Sequence, residues 1–99
     1  MTFAYVRIST NKQDLQNQKH TLLQYANDKN LGQINFIEVI SGSLKKEEDR
    51  KITELFSKLK KQDHLIVSEL NRLGRSVVNV VDIINRLVEK KIIIHVGEC

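Results

Sequence analysis

The chain has no proline, no tryptophan, four glycines and a single cysteine among its 99 residues. With proline missing and glycine scarce, nothing reads as a flexible linker, and a chain of this length makes one domain, 1–99. Cys99 alone can form no internal disulfide, and a terminal thiol is a poor metal ligand; a reducing cytoplasm is the expected compartment. No apolar run approaches the roughly 20 residues of a membrane span, so no membrane partner is expected. The N-terminus enters a strand pattern directly, so no signal peptide is expected. Glycine-rich phosphate loops of either common type are missing. His20, His64 and His95 follow no metal-ligand spacing, and neither a metal nor another cofactor is expected.

What is present is an ordinary soluble composition, 40% hydrophobic and 28% charged, with a net charge of +4. The basic excess suits a polyanionic partner without proving one. Thr2 to Ser9 reads as a strand with apolar residues on both faces, Phe3 and Tyr5 on one and Ala4, Val6 and Ile8 on the other, as in a strand covered on both sides. The spacing of Leu15, Leu22, Leu23 and Ala26 predicts a helix over 14–30, with Gly32 as its stop. Ile34 to Ile40 is a second strand, and Ser41 to Arg50 a polar loop. Ile52, Leu55, Phe56 and Leu59 mark a second helix. Asp63 caps or turns the chain into a third strand, His64 to Ser68. Val77, Val80, Val81, Ile84, Leu87 and Val88 mark a third helix, and Ile92 to Val96 a fourth strand. This alternation predicts an α/β fold of three layers, a mainly parallel sheet with helices on both faces. Strand order does not follow from pattern.

In such sheets ligands gather beyond the carboxyl ends of the strands. Arg7 and Ser9 lie at the end of the first strand, two residues apart and so on one face. Ser41 to Arg50 follows the second strand and Glu69 to Arg75 the third, so all three segments emerge on one edge. A serine hydroxyl is a weak nucleophile until a base takes its proton or cations stabilise its alkoxide. No histidine lies near Ser9 in sequence, and no nucleophile elbow is present. Arg7, Arg72, Arg75 and Arg50 supply cations instead, and guanidinium groups pair with phosphate oxygens in a fork. Phosphoryl transfer therefore fits better than acyl transfer. A second reading stays open: Ser9 caps the following helix, Arg7 is a surface cation, and Gly74 and Ser76 form a turn and cap for the helix beginning near Val77. Gln13 and Gln18 could hold a phosphate or orient a side chain, though surface glutamines are common.

Taken in order, Tyr5-Val6-Arg7-Ile8-Ser9-Thr10, then Gln13 and Gln18, Ser41-Gly42 with Asp49-Arg50, and Leu70-Asn71-Arg72-Leu73-Gly74-Arg75-Ser76 resemble the catalytic domain of serine site-specific recombinases, the resolvase and invertase family. The resemblance runs from Phe3 to about Val96. It implies a resolvase-like catalytic domain that cuts and rejoins DNA, with Ser9 as nucleophile and a 5′-phosphoseryl intermediate. It also implies that Arg7, Arg72 and Arg75 hold the scissile phosphate, that Arg50 reaches in from a mobile loop, and that Gln13, Gln18 and Asn71 give polar support. Neither ATP nor metal is required by that chemistry. Many members carry an aspartate where Asn71 stands; asparagine keeps the hydrogen bonds but cannot take a proton. The family's dimerisation helix and DNA-binding domain are expected beyond these residues, with a homo-oligomer, a dimer or a synaptic tetramer, as the working form. Two alternatives are a non-catalytic relative with a regulatory role and a generic doubly wound domain for a phosphorylated ligand.

Overall fold

Among the residues described by the computed structural model (1–8, 12–40, 45–74 and 76–96, with the side chains of 8, 12, 40, 45–48 and 72 left aside), strand and helix alternate as the pattern predicts. The order is β1 (Thr2–Ile8), α1 (Lys12–Asp28), β2 (Ile34–Ile40), α2 (Lys45–Lys58), β3 (His64–Val67), a 3₁₀ turn (Leu70–Leu73), α3 (Val77–Glu89) and β4 (Ile93–Val96). The strands form one parallel sheet in the order β2-β1-β3-β4.

The period-two alternation of each strand divides the core in two. Phe3, Tyr5, Ile37, Val39, Leu65 and Val67 point to one face, where Leu55 of α2, Leu59 just past its end, and Ile83 and Leu87 of α3 cover them. Ala4, Val6, Ile34 and Ile66 point to the other, where Leu22 and Ala26 of α1 close the layer. The expected three-layer arrangement is therefore present, with α1 alone on its face and α2 and α3 together on the opposite one.

Three local expectations need correction. Arg50 does not lie in a loop: α2 begins at Lys45, so the second half of the expected 41–50 loop is helix. Lys, Glu and Arg are good helix formers, but these opening turns carry no apolar stripe, so periodicity detected α2 only from Ile52 onward. On α1, Leu23 is exposed while Leu22 and Ala26 are buried. On α3 the buried line is Ile83 and Leu87, while Val77, Val81 and Val88 of the expected stripe face outward. That helix has more branched apolar residues than one face can cover, and spacing alone does not choose between the lines.

Each return from helix to strand uses a residue in the left-handed region: Asn30 (φ 57°) before β2, Gln62 (φ 74°) before β3 and Lys91 (φ 66°) before β4. Gly32 (φ 80°), the expected stop, lies two residues beyond the first of these. The second and third returns are joined, since the N–H of Gln62 donates to the carbonyl of Lys91 at 2.9 Å. Asp63 turns the chain into β3 as expected. Its carboxylate accepts from the Lys60 N–H (2.9 Å) and from the N-terminal ammonium (3.2 Å). The Lys60 hydrogen bond, aided by that ammonium, holds the Asp63 carboxyl below the usual aspartate range despite burial.

Candidate active site

The strand order creates a switch point. From β1 the chain moves to β2 on one side, then crosses over β1 to β3 on the other, so the connections leaving β1 and β3 diverge at their carboxyl ends. Pairing deepens the gap. β1 pairs with β2 along its whole length, from Thr2 with Ile34 to Ile8 with Ile40, but with β3 only from Thr2 to Ala4. Tyr5 to Ile8 therefore run past that pairing, and Arg7 among them borders a cleft.

Arg7 sits at this edge, half-buried, on the face shared by Phe3 and Tyr5. The 3₁₀ turn after β3 comes to meet it. Leu73 is fully buried in the same core cluster and anchors the turn. One residue later, the carbonyl of Gly74 accepts from Nη1 of Arg7 at 3.2 Å across 67 residues of sequence. Chain direction then changes again. Ser76 takes extended geometry and its Oγ accepts from the N–H of Asn79 at 3.1 Å, starting α3 as a side-chain cap. The part of the second reading that gave Ser76 a capping role is thus correct. Arg7 and the 70–76 segment border one cleft of about 580 Å³, with Asn71, Gly74 and Ser76 on its polar side and Val77, Val80 and Val81 on its apolar side.

Gln18 reaches the backbone of Arg7 from α1. Its Nε2 donates to the carbonyl of Arg7 (3.4 Å) and to Oδ2 of Asp14 (3.0 Å). Gln13 is exposed on the first turn of that helix. Asn71 is exposed on the 3₁₀ turn. Arg50 is exposed on α2 and is not among the residues that line the cleft. Ser9 and Arg75 lie outside the described residues, as do Ser41 and Gly42, and for Arg72 the backbone alone is described, within the 3₁₀ turn. The structure thus brings Arg7, Asn71 and Gly74 to one cleft, and joins Gln18 to the Arg7 carbonyl without placing it among the residues that line that cleft.

Two features escaped the sequence. Asp14 was legible only as the residue one helical turn before Gln18, a spacing that permits contact. The histidines carry a different surprise. Nδ1 of His64 and Nε2 of His95 lie 2.8 Å apart, and Nδ1 of His95 lies 3.1 Å from the Tyr25 hydroxyl. Burial, with His64 and Lys29 nearby, pushes the His95 imidazole below its ordinary range. This chain links α1, β3 and β4 at the far edge of the sheet; no spacing rule would reveal partners on three separate elements. Among the described residues, no group of three potential ligands could hold a metal ion, and no helix is long and apolar enough to cross a membrane.

A parallel α/β domain with a cation-bearing crevice at its switch point, carrying the motif series in this order, defines a serine recombinase catalytic domain. The chain belongs to the resolvase family: the profile described as "Resolvase, N terminal domain" matches residues 2–98. Among curated proteins it is similar to the serine recombinases PinR and PinQ of Escherichia coli (strain K12). It is 37% identical to each over 93 residues, which is 94% of this chain and 47% of either relative. It is also similar to a resolvase of Clostridium perfringens (strain 13 / Type A), 33% identical over 91 residues, 91% of this chain and 45% of that protein. The chain spans about half the length of these relatives.

Proposed function

We propose that this chain is the catalytic portion of a DNA recombinase that cuts and rejoins strands through Ser9. In the forward step, Ser9 Oγ gives up its proton and attacks a backbone phosphorus. The bond from phosphorus to the 3′ oxygen breaks, the 3′ oxygen leaves as a hydroxyl, and a 5′-phosphoseryl ester is formed. After exchange, a 3′ hydroxyl attacks that ester, restores the phosphodiester and returns the proton to Ser9. One phosphate ester replaces another at each step, so the reaction needs no external energy source. Arg7, Arg72 and Arg75 bind the phosphate and stabilise the charge that builds on its oxygens, while Arg50, Gln13, Gln18 and Asn71 support from the rim. DNA binding and assembly into a homo-oligomer belong to the reading as well, with the dimerisation and base-reading elements lying outside these residues.

The observation that supports this most is the tie from Arg7 to the Gly74 carbonyl, which joins the end of β1 to the 3₁₀ turn that includes Arg72. To test it, the chain is joined to a recombinase DNA-binding module and incubated with a nicked suicide substrate. A denaturing gel should reveal a covalent protein–DNA species that vanishes in Ser9→Ala. A full adduct yield from Ser9→Ala would remove the nucleophile assignment. No adduct from the unaltered chain, with restoration by Asn71→Asp, would instead favour the regulatory relative.

A further inference from the structure

Gln18 is half-buried where α1 passes the end of β1, and its amide can be oriented without ambiguity. Both neighbours of Nε2, the Arg7 carbonyl and the Asp14 carboxylate, only accept hydrogen bonds. A flipped amide would set three oxygens against one another. The nitrogen must therefore face Arg7 and Asp14, which turns Oε1 to the other side. There Oε1 is buried and has no hydrogen-bond partner among the described residues. A buried carbonyl oxygen without a donor is uncommon, because its lost hydration is uncompensated.

We infer that Asp14 is a positioning residue for the candidate active site: its carboxylate fixes the sense and rotamer of the Gln18 amide, so that Gln18 clasps the Arg7 carbonyl and holds Oε1 as an acceptor at the carboxyl end of β1. Of the two nitrogen contacts, the one to Asp14 is the shorter and the charge-assisted one, so it dominates the orientation. Asp14 stands in the first turn of α1, where a carboxylate is favoured by the helix N-terminus, and it sits one turn from Gln18 on the same face. A pair of this spacing on an exposed helix face would merely stabilise the helix. The second contact, to a carbonyl on another element, makes it a link between α1 and the strand end that carries Arg7. An acceptor placed there suits a hydroxyl or a guanidinium N–H, the donors that the proposed chemistry uses. That last role rests on the recombinase reading; the clasp does not.

The experiment has two readouts. In the 99-residue chain, labelled with nitrogen-15, the side-chain amide of Gln18 is assigned by its loss in Gln18→Ala. Its two protons should be well separated and protected from solvent. Asp14→Ala and Asp14→Ser, the second well suited to a helix start, should collapse that pair toward free-glutamine positions, whereas Asp14→Asn, which retains an acceptor oxygen, should preserve it. Unchanged Gln18 signals in both Asp14→Ala and Asp14→Ser would overturn the inference. In the fusion used for the suicide substrate, Asp14→Ala should slow adduct formation at saturating DNA by about tenfold or more, as expected when a supporting group misplaces a reacting one. Its affinity for DNA should stay near that of the parent, and Asp14→Asn should recover most of the rate. An altered amide with an unaltered rate would reject the link to catalysis. If the unaltered fusion forms no adduct that depends on Ser9, the recombinase reading fails, while the amide signals still decide the clasp.

Discussion

Replacing Gly74 by alanine should weaken the fold at the point where β1, the 3₁₀ turn and α3 meet. A β-carbon built at this position runs into Oδ1 of Asn79 and lies 3.0 Å from its Cγ and 3.1 Å from the backbone nitrogen of Val80. Comfortable carbon contacts are about 3.5–4.0 Å. The Asn79 amide can swing aside, but the Val80 nitrogen cannot easily retreat, because its N–H donates to the carbonyl of Ser76 at 2.9 Å in the first turn of α3. Overpacking of this kind costs about 1–3 kcal/mol. Gly74 is extended, at φ −156°, so alanine adds no backbone strain there. The smaller entropy of the unfolded alanine chain returns roughly 0.4–1 kcal/mol. The net loss is then about 0–2.6 kcal/mol, centred on about 1.3 kcal/mol, which is a fall in Tm of roughly 5–10 °C for a domain of this size. Thermal melts followed by circular dichroism would measure it. A double-mutant cycle with Asn79→Ala separates the two contacts: additive losses assign the cost to the Val80 nitrogen, and a smaller combined loss assigns part of it to the Asn79 side chain. A Gly74→Ala protein that melts at or above the parent temperature would show that the close approach does not exist.

Further predictions test the edge, the caps and the core. Because the His95 imidazole is depressed in the folded state, the unfolded chain takes up its proton first, so the stability it contributes is complete above about pH 6.5 and declines as the pH falls toward the folded value. Tm should therefore drop between pH 7.5 and 5, and His95→Gln should flatten that slope; an identical slope in the variant would assign the effect to other groups. Lys91→Gly, at φ 66°, should be neutral or raise Tm, contrary to the usual cost of introducing glycine, since it relieves a left-handed residue and leaves the Gln62-to-Lys91 backbone bond intact. Ser76→Ala removes the cap of α3 and should cost about 1 kcal/mol in urea unfolding, with Ser76→Asp close to the parent. Leu87→Ala, in a fully buried site on α3, should cost about 2–5 kcal/mol, which is a large share of the stability of a small domain.

Much of this was determined by the residues taken in order. The two-faced apolar pattern of Thr2 to Ile8 requires a strand covered on both sides, and its alternation assigns Phe3 and Tyr5 to one core layer and Ala4 and Val6 to the other. The motif series around Arg7, Gln18 and Leu70 to Ser76 was legible for the same reason: it consists of residue types at fixed spacing, and spacing is a one-dimensional property. Helix starts rich in Lys and Glu were not, because a polar turn has no apolar stripe to betray it. The phase of α3 escaped as well, since Val77, Val81 and Ile84 make as good a stripe as Val80, Ile83 and Leu87.

Tertiary structure alone decided the strand order, and with it the cleft where the end of β1 meets the 3₁₀ turn and α3. It also supplied the bonds that join distant positions: Arg7 to Gly74, Gln18 to the Arg7 carbonyl, His64 to His95. Local sequence reports how each side chain divides between water and a core, which is enough to form strands and helices and to orient their faces. Which strand becomes whose neighbour depends on how the helices fill the two layers together. That is a property of the whole assembled volume, and no single segment contains it.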